Sequence, residues 1–588
     1  MRYIIFLLLF ILLSESITAQ QPFFREKRDY VWMFGYDTTI QLNGKNNWLD
    51  FNDTPVSTHE RPGTMSIDIT NAGICDTAGN LLFYTNGFVV MNGNHEILEN
   101  GEGLNPGVMT NDWVPYGQPL CQGALLLPLS ESNSIYYLFH GRIEYLFTGI
   151  DIYDNISKVF PLYYSVVTIN SGEGADSILE KNSLLVNDTL SFGQITAVRH
   201  ANGRDWWIIV FNYFANTYHR FLLHPQGISE LSIQSVGDSI PSGIGQAVFS
   251  PDGARYAKLN SHKIGQDVYL DVYNFDRCNG LLSNAIHIVY RDTSLHGGVA
   301  FSPNSRFLYV SSDRYVYQYD LQAQDIEASK TVITAVPPVS GETDFALAQL
   351  GPDQKVYISG YTIKALHIIH NPNAAGTACN FEKEALTFSH FLGRSIPNHP
   401  CYDLGPLDGS PCDTLGIDNH PQAAFRHQEQ ALEVTFWDYS LFAPTQWQWD
   451  FGDGTAGSTQ QNPVHLYVVP GIYQVCLTVS NANNSDTHCE WIEVITTGTY
   501  SPYVSSLNVR VYPNPARNVL QIDIANSTPV TIALLDMYGR VLLSQQAGEA
   551  PLGQNLTIDI SSLNNGIYLL ELSGMNINRQ VVRIVIMK

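Results

Sequence analysis

A short turn followed by a β run returns along residues 28 to 405 at a near-constant spacing, and this recurrence limits the fold more than any other feature of the chain. The late copies are Phe249-Ser250-Pro251-Asp252-Gly253 before Tyr256-Ala257, Phe301-Ser302-Pro303-Asn304-Ser305 before Phe307 to Val310, and Leu350-Gly351-Pro352-Asp353-Gln354 before Val356-Tyr357-Ile358. Aligned on the residue after proline, Asp252, Asn304 and Asp353 lie 52 and 49 apart, and Asn202 lies 50 before Asp252. Weaker copies sit at Gly79-Asn80 and at Ser132-Asn133-Ser134. Each late copy carries a second aromatic run further on: Val268 to Phe275, Tyr315 to Tyr319 and Ala365 to Ile369. A period of ~40 to 50 residues holding several short strands is the pattern of a β-propeller blade, because one such unit cannot bury its apolar face alone. Six units are visible, six to eight blades fit, and about seven are expected. Helical periodicity is scarce throughout, so the fold class is all-β.

Two further β units follow. Over 415–497, Leu432, Val434 and Phe436 alternate, Trp447, Trp449 and Phe451 share one face, and Tyr473, Val475, Leu477 and Val479 share another. This is the pattern of one β-sandwich of immunoglobulin-like size, with Asp453-Gly454 as a hairpin turn. Cys476 and Cys489 are placed symmetrically about Ala482-Asn483, so consecutive strands would oppose them. Both have the parity opposite to the core residues, and opposed positions lie within disulfide reach. After a linker at 498–507, residues 508–588 alternate cleanly at Leu520-Ile522-Ile524, Val530-Ile532-Leu534, Leu556-Ile558-Ile560 and Val582-Ile584-Ile586, as in a small two-layer sandwich.

The start of the chain reads as an export signal over 1–19: Arg2, the apolar run Ile4 to Leu13, then small residues up to Ala19, where cleavage is expected. The run is about half the ~20 residues of a membrane span, and no later segment is comparably apolar, so no transmembrane segment is expected in the mature protein. Export fits the eight cysteines, an even set without CxxC spacing that favours disulfides over thiol catalysis. With 31 Lys+Arg against 55 Asp+Glu, the formal charge is −24. No basic run offsets it, so nucleic acid is not an expected partner.

Two stretches resemble known families. Trp449-Asp450-Phe451-Gly452-Asp453-Gly454, with His465, Tyr467 and Gly471-Ile472-Tyr473, resembles the polycystic-kidney-disease (PKD) domain, which implies a spacer or binding module without an active site. Asp450 and Asp453 suggest calcium, but the six to eight oxygen ligands it needs cannot be assembled, and turn chemistry accounts for both. Pro513-Asn514-Pro515, Tyr538-Gly539-Arg540, Gly566 with Tyr568, and the terminal Arg583 to Lys588 resemble the type A C-terminal sorting domain of the type IX (Por) secretion system. That resemblance implies a Gram-negative source, passage through the periplasm, recognition by the outer-membrane translocon, and a secreted or surface-attached product. The propeller segment is similar to the N-terminal region of such surface proteins at Asp276 to Leu282, Ile396-Pro397-Asn398 and Leu404 to Leu407.

Propellers host hydrolases, lyases and lectins, so the central channel and top loops are the expected place for a ligand. The sequence lacks GxSxG, HExxH, a Walker loop, an EF-hand loop and the sialidase box, and no cofactor is expected. His140, His200 and Asp344 qualify as general base or ligand by residue type alone; more often such residues bridge strands or close turns within a blade. Trp206-Trp207 alternate in one strand, one towards the core and one exposed or between blades. The expected function is an adhesin-like binding protein with a glycan or protein ligand on the propeller. The alternatives are an extracellular hydrolase or lyase on polysaccharide or peptide, and a purely structural surface protein.

Overall fold

The computed structural model describes residues 21–495 and 509–588, except 24, 36–44, 54, 63–64, 146–156, 170–174, 214, 242, 262–266, 293–296, 337–344, 361–362, 514–515, 525–529, 536–540, 548–553, 575–576 and 587. The export signal, Asp344, Asn514, Pro515, Tyr538 to Arg540 and the linker 498–507 lie outside them.

Each turn of the repeat closes the first hairpin of one antiparallel sheet. In two of the late copies, those at Ser250 and Ser302, the serine hydroxyl is the pivot. Ser250 Oγ donates to Asp252 Oδ1 at 2.5 Å and accepts from Arg255 N at 2.9 Å; Ser302 does the same with Asn304 (2.6 Å) and Phe307 N (2.8 Å). The residue after the Asp or Asn turns left-handed, φ 69° at Gly253 and 59° at Ser305. The proline ahead presets the turn, and the short polar side chain caps it.

Seven such sheets follow one another, which makes seven blades. Their innermost strands are Val31–Phe34, Ala72–Cys75, Ala124–Pro128, Thr196–Arg199, Ala247–Phe249, Gly297–Phe301 and Ala348–Leu350. Among the described residues blades 1 and 2 have three strands and the others four. Apolar clusters tie each blade to the next: Met33 and Ile67 to Tyr84, Phe83 to Leu125 and Ile208, Trp207 to Tyr256, Leu259 to Val299, and Tyr309 to Ile358. Trp32 and Leu49 of blade 1 pack with Tyr357 and Leu366 of blade 7, which closes the ring. The six units visible in the sequence are blades 2 to 7. In blade 1 the first two strands, Val31–Phe34 and Lys45–Asp50, are joined through residues outside the described ones.

The first sandwich has sheets Phe425–Gln430/Glu433–Asp438/Val464–Leu466 and Gln446–Asp450/Gly471–Ser480/Ser485–Val494 around Phe436, Trp449, Val475 and Leu477. Cys476 opposes Cys489 in the register and the two are joined, Cα to Cα 4.1 Å. Asp453-Gly454 is not a two-residue hairpin. It belongs to a longer loop closed by the Trp449–Ser458 bridge, because the strand at 446–450 pairs with 471–480 instead of its neighbour in sequence. This sandwich touches the turn side of blade 7, where the Arg426 guanidinium donates to Asp353 O and His370 O, and Asn373 Nδ2 donates to Asp438 O at 3.1 Å.

Residues 495–588 form a separate compact unit of two sheets, Val509–Tyr512/Val519–Ile524/Gln554–Asp559 and Val541–Ala547/Val530–Leu535/Gly566–Gly574/Ile577–Ile586, with Leu520, Ile532, Leu570 and Ile584 between them.

Of the eight cysteines, Cys278–Cys412 and Cys476–Cys489 are bonded. Cys75, Cys121, Cys379 and Cys401 are free thiols; the first three are buried as small apolar side chains.

Candidate functional site

The chain itself fills the channel. Residues 395–407 run along the ring axis from the face opposite the turns to the turn face. Asn398 N donates to Asn71 O (2.8 Å), its Nδ2 donates to Ala124 O and Ile195 O (2.9 Å each), and its Oδ1 accepts from Gln122 Nε2 (3.0 Å). Further along, Gln349 Nε2 donates to His399 O (3.2 Å), Tyr402 OH to Leu126 O (3.0 Å), and Leu407 N to Ala201 O (2.8 Å). Pro397, Pro400 and Pro406 keep the segment extended. The open channel expected from the sequence is therefore replaced by a plug. The stretch 276–282 clasps its end: the Arg277 guanidinium donates to Arg199 O (3.0 Å), His200 O (3.3 Å) and Gly405 O, and Cys278 is bonded to Cys412.

Glutamines complete the hub. Gln122 exchanges two hydrogen bonds with Ala247 (2.9 and 2.8 Å), and Gln246 exchanges two with Ala348 (2.8 and 3.0 Å), so each links blades two apart. Sequence reasoning missed them, although Gly193-Gln194 and Gly245-Gln246 repeat at the spacing of the turns.

On the turn face the plug leaves a cavity of about 100 Å³ against blades 5 to 7. Its walls are apolar, with Phe249, Val299, Phe301 and Leu350 of the inner strands; its polar end is Arg25, Asp29, His399 and Asp403; Pro251, Pro303, Pro352 and Leu441 of the sandwich also line it. Arg25 Nε lies 2.9 Å from Asp403 Oδ2, and its Nη2 donates to Pro352 O at 2.5 Å. Burial, then the charge of Asp403, pushes the Asp29 carboxyl up to about 7. Burial also raises Asp403, against the pull of Arg25. The buried His399 imidazole is pushed down to about 3 and the Cys401 thiol up to about 12. No motif or spacing in the sequence singled out these four polar residues.

The candidates named from residue type sit elsewhere. His140 is fully buried, with Nδ1 on Asn105 Oδ1 (2.8 Å) and Nε2 on Ser165 Oγ (2.9 Å), and burial pushes it down to about 3. Such an imidazole stays neutral and bridges strands. His200 closes a turn, its Nδ1 accepting from Asn202 N (3.0 Å) and its Nε2 donating to Cys278 O (3.0 Å). Trp206 is core and Trp207 packs between blades 4 and 5, with Nε1 donating to Arg277 O at 2.9 Å.

The face opposite the turns carries a different feature. Between blades 2 and 3 the short helix Val108–Trp113 lies over the far end of blade 3's second strand, where Arg142 donates to Pro106 O (3.5 Å). Val108 is 65% exposed and Val114 46%, and half-buried Trp113 meets Tyr116 edge to face at 6.1 Å. Glu144 beside them is held by Arg142 at 3.0 Å. The result is an aromatic and aliphatic lip.

In the sandwich the motif residues serve the loop 451–457. Asp450 Oδ1 accepts from Gly452 N (3.0 Å). Asp453 accepts from Thr455 N (3.0 Å) and Thr455 Oγ1 (2.6 Å) and meets His465 Nε2 (2.8 Å). The His465 ring stacks on Phe451 at 3.9 Å, Tyr467 OH donates to Phe451 O (3.1 Å), and Trp449 Nε1 donates to Gln460 O (2.9 Å). Gly452, at φ 73°, faces Gln474 O so closely that a Cβ would stand 2.3 Å from it, while Gly454 has φ 77°. In the last unit Gly566 opens a strand, Tyr568 OH donates to Asn564 O (2.9 Å), and Lys588 N donates to Asn565 Oδ1 (2.7 Å). Pro513 follows the strand Val509–Tyr512.

Comparison with known proteins places two of the three units. Residues 417–495 match the PKD domain family, and residues 510–587 match the secretion system C-terminal sorting domain family. Among solved structures, the PKD1 domain of the Vibrio cholerae metalloprotease PrtV is similar, at 34% identity over 13% of this chain and 99% of that chain, TM-score 0.13. So is the PKD1 domain of Vibrio anguillarum Epp, at 27% identity over 14% and 99%, TM-score 0.13. A 6-phosphogluconolactonase-like protein of Bacteroides uniformis is 12% identical over 62% of this chain and 98% of that chain, TM-score 0.34. No curated protein matches the chain. Among the described residues no helix is long and apolar enough to cross a membrane. The chain therefore carries a PKD domain and a type IX secretion C-terminal sorting domain, and the sorting domain directs it to the cell surface or the medium.

Proposed function

We propose that this is an adhesin-like binding protein, secreted or held at the cell surface, whose propeller offers a glycan or protein ligand the face opposite the PKD domain. The observation that carries this reading is the lip of Trp113, Tyr116, Val108 and Val114, beside which His140 is buried and Glu144 is paired. Rings of this kind stack on the apolar faces of sugars and anchor protein interfaces, whereas a hydrolase or lyase needs a general acid or base within reach of its substrate. Pro513, Asn514, Pro515, Tyr538, Gly539, Arg540, Gly566, Tyr568 and Lys588 are the residues we assign to recognition by the type IX machinery, and the PKD domain is the spacer. The test is a glycan and extracellular-protein array with the mature chain and its Trp113→Ala variant, the hits being followed by mass spectrometry. Binding that is lost in the variant, with ligand masses unchanged, is expected. Cleavage of a hit would replace the binding reading with the hydrolytic one.

A further inference from the structure

The geometry points to a second ligand site, on the turn face: the hub cavity walled by Phe249 and Phe301 and ended by Asp29 and Asp403 takes a small organic cation, a protonated amine on an apolar body.

The site is independent of the lip, which lies on the other face. It has the composition of a ligand pocket, apolar walls with a few converging polar groups. Asp29 and Asp403 share the guanidinium of Arg25, which already spends itself on Asp403 Oδ2 and Pro352 O, while the next cations, Arg28 and Arg199, are paired with Glu26. A cationic donor is the complement of an acidic end whose adjacent guanidinium is already committed. Two observations show that the polar end is not self-satisfied. His399 is 6% exposed and neither ring nitrogen has a hydrogen-bond partner among the described residues; Asp403 Oδ1 has none either. Buried groups of this kind are normally paired, so an unpaired imidazole and carboxylate oxygen at one cavity mark a place where something else supplies the partners. Burial, then the charge of Asp403, raises the Asp29 carboxyl against the pull of Arg25. The apolar walls select a hydrocarbon body over an inorganic ion. Leu441 of the PKD domain reaches this cavity, so that domain contributes to the site as well as spacing the ring.

Benzylamine, benzyl alcohol and benzoate, alike in body and different in charge, are the probes, titrated calorimetrically into the full mature chain. Benzylamine is expected to bind, with the alcohol and benzoate at least tenfold weaker. Asp29→Asn and Asp403→Asn should each weaken benzylamine by about tenfold or more, the loss of one charge-assisted bond. Because Asp403→Asn also breaks the contact with Arg25, Leu441→Trp serves as a second variant that narrows the cavity from the sandwich side without touching an acid, and it should weaken all binding. Equal affinity for the three probes, no binding of benzylamine, or benzylamine binding unchanged by Asp29→Asn and by Leu441→Trp would overturn the assignment. None of these outcomes bears on the lip, whose test uses Trp113.

Discussion

Replacing Asn398 by Ala should destabilise the ring more than any other single truncation in the plug. The side chain donates to Ala124 O of blade 3 and Ile195 O of blade 4, and accepts from Gln122, which itself bonds Ala247 of blade 5. Alanine leaves two buried carbonyls and one buried amide hydrogen without these partners, each costing roughly 1 to 3 kcal/mol. The amide of Gln122 keeps its bond to Ala247, and a water can enter the space left by the side chain, so the lower part of the range applies, about 3 to 5 kcal/mol in all. The unfolding entropy of a ring this size is about 0.8 kcal/mol/K, so the melting temperature should fall by roughly 4 to 6 °C. Differential scanning calorimetry of the mature chain reads this directly, with exposed Asn94→Ala as the control, expected within about 1 °C of the parent. Asn398→Asp keeps the volume but turns both donors into acceptors facing carbonyls, and should be worse than alanine. Limited proteolysis of Asn398→Ala should show new cuts within 395–407. A drop no larger than that of the control would refute the reasoning that this amide pins the plug to the ring.

Three further outcomes follow from the same structure. The folded-state pKa of His140 is about 3 against an ordinary 6.5, so the unfolded chain binds a proton that the folded chain refuses. Its contribution is fully present above about pH 6.5 and is lost as pH falls towards 3. Denaturant unfolding at pH 7 and pH 4.5 should show His140→Asn losing less stability than the parent over that interval, by up to about 1.4 kcal/mol per pH unit; equal losses would mean that His140 is not buried neutral. Replacing both Cys476 and Cys489 by Ser opens a loop of 13 residues' separation and should lower the PKD domain by about 3 kcal/mol while the ring transition stays where it is, again read by calorimetry. Deleting residues 509–588 should trap the product in the periplasm, measured by cell fractionation; normal appearance in the medium would show that delivery does not depend on the sorting domain.

What could be read from the sequence is what repeats or what alternates. The turn recurs because blades 2 to 7 share a left-handed corner after the inner strand, so Asp252, Asn304 and Asp353 kept a common spacing, and six of the seven blades were countable. Blade 1 escaped because no copy of the turn was recognised ahead of Gly79-Asn80. The pairing of Cys476 with Cys489 was legible for a related reason: strand parity and hairpin symmetry are local, and no distant residue can change them. The sites are the opposite case. Asp29 and Asp403 are 374 positions apart and become one polar end only because blade 7 closes against blade 1, a consequence of the whole ring. The role of His140 stayed open for the same reason, since what decides whether an imidazole is a base or a strand bridge is Asn105 and Ser165, on segments 35 and 25 residues away. The plug lies between these extremes. Its residues Ile396-Pro397-Asn398 and Leu404 to Leu407 stood out as a motif, but only the assembled blades 3 and 4 supply the carbonyls of Ala124 and Ile195 that give Asn398 its role. A residue type is therefore informative in this chain where its partners are within a strand or two, and silent where the ring must close before the partners exist.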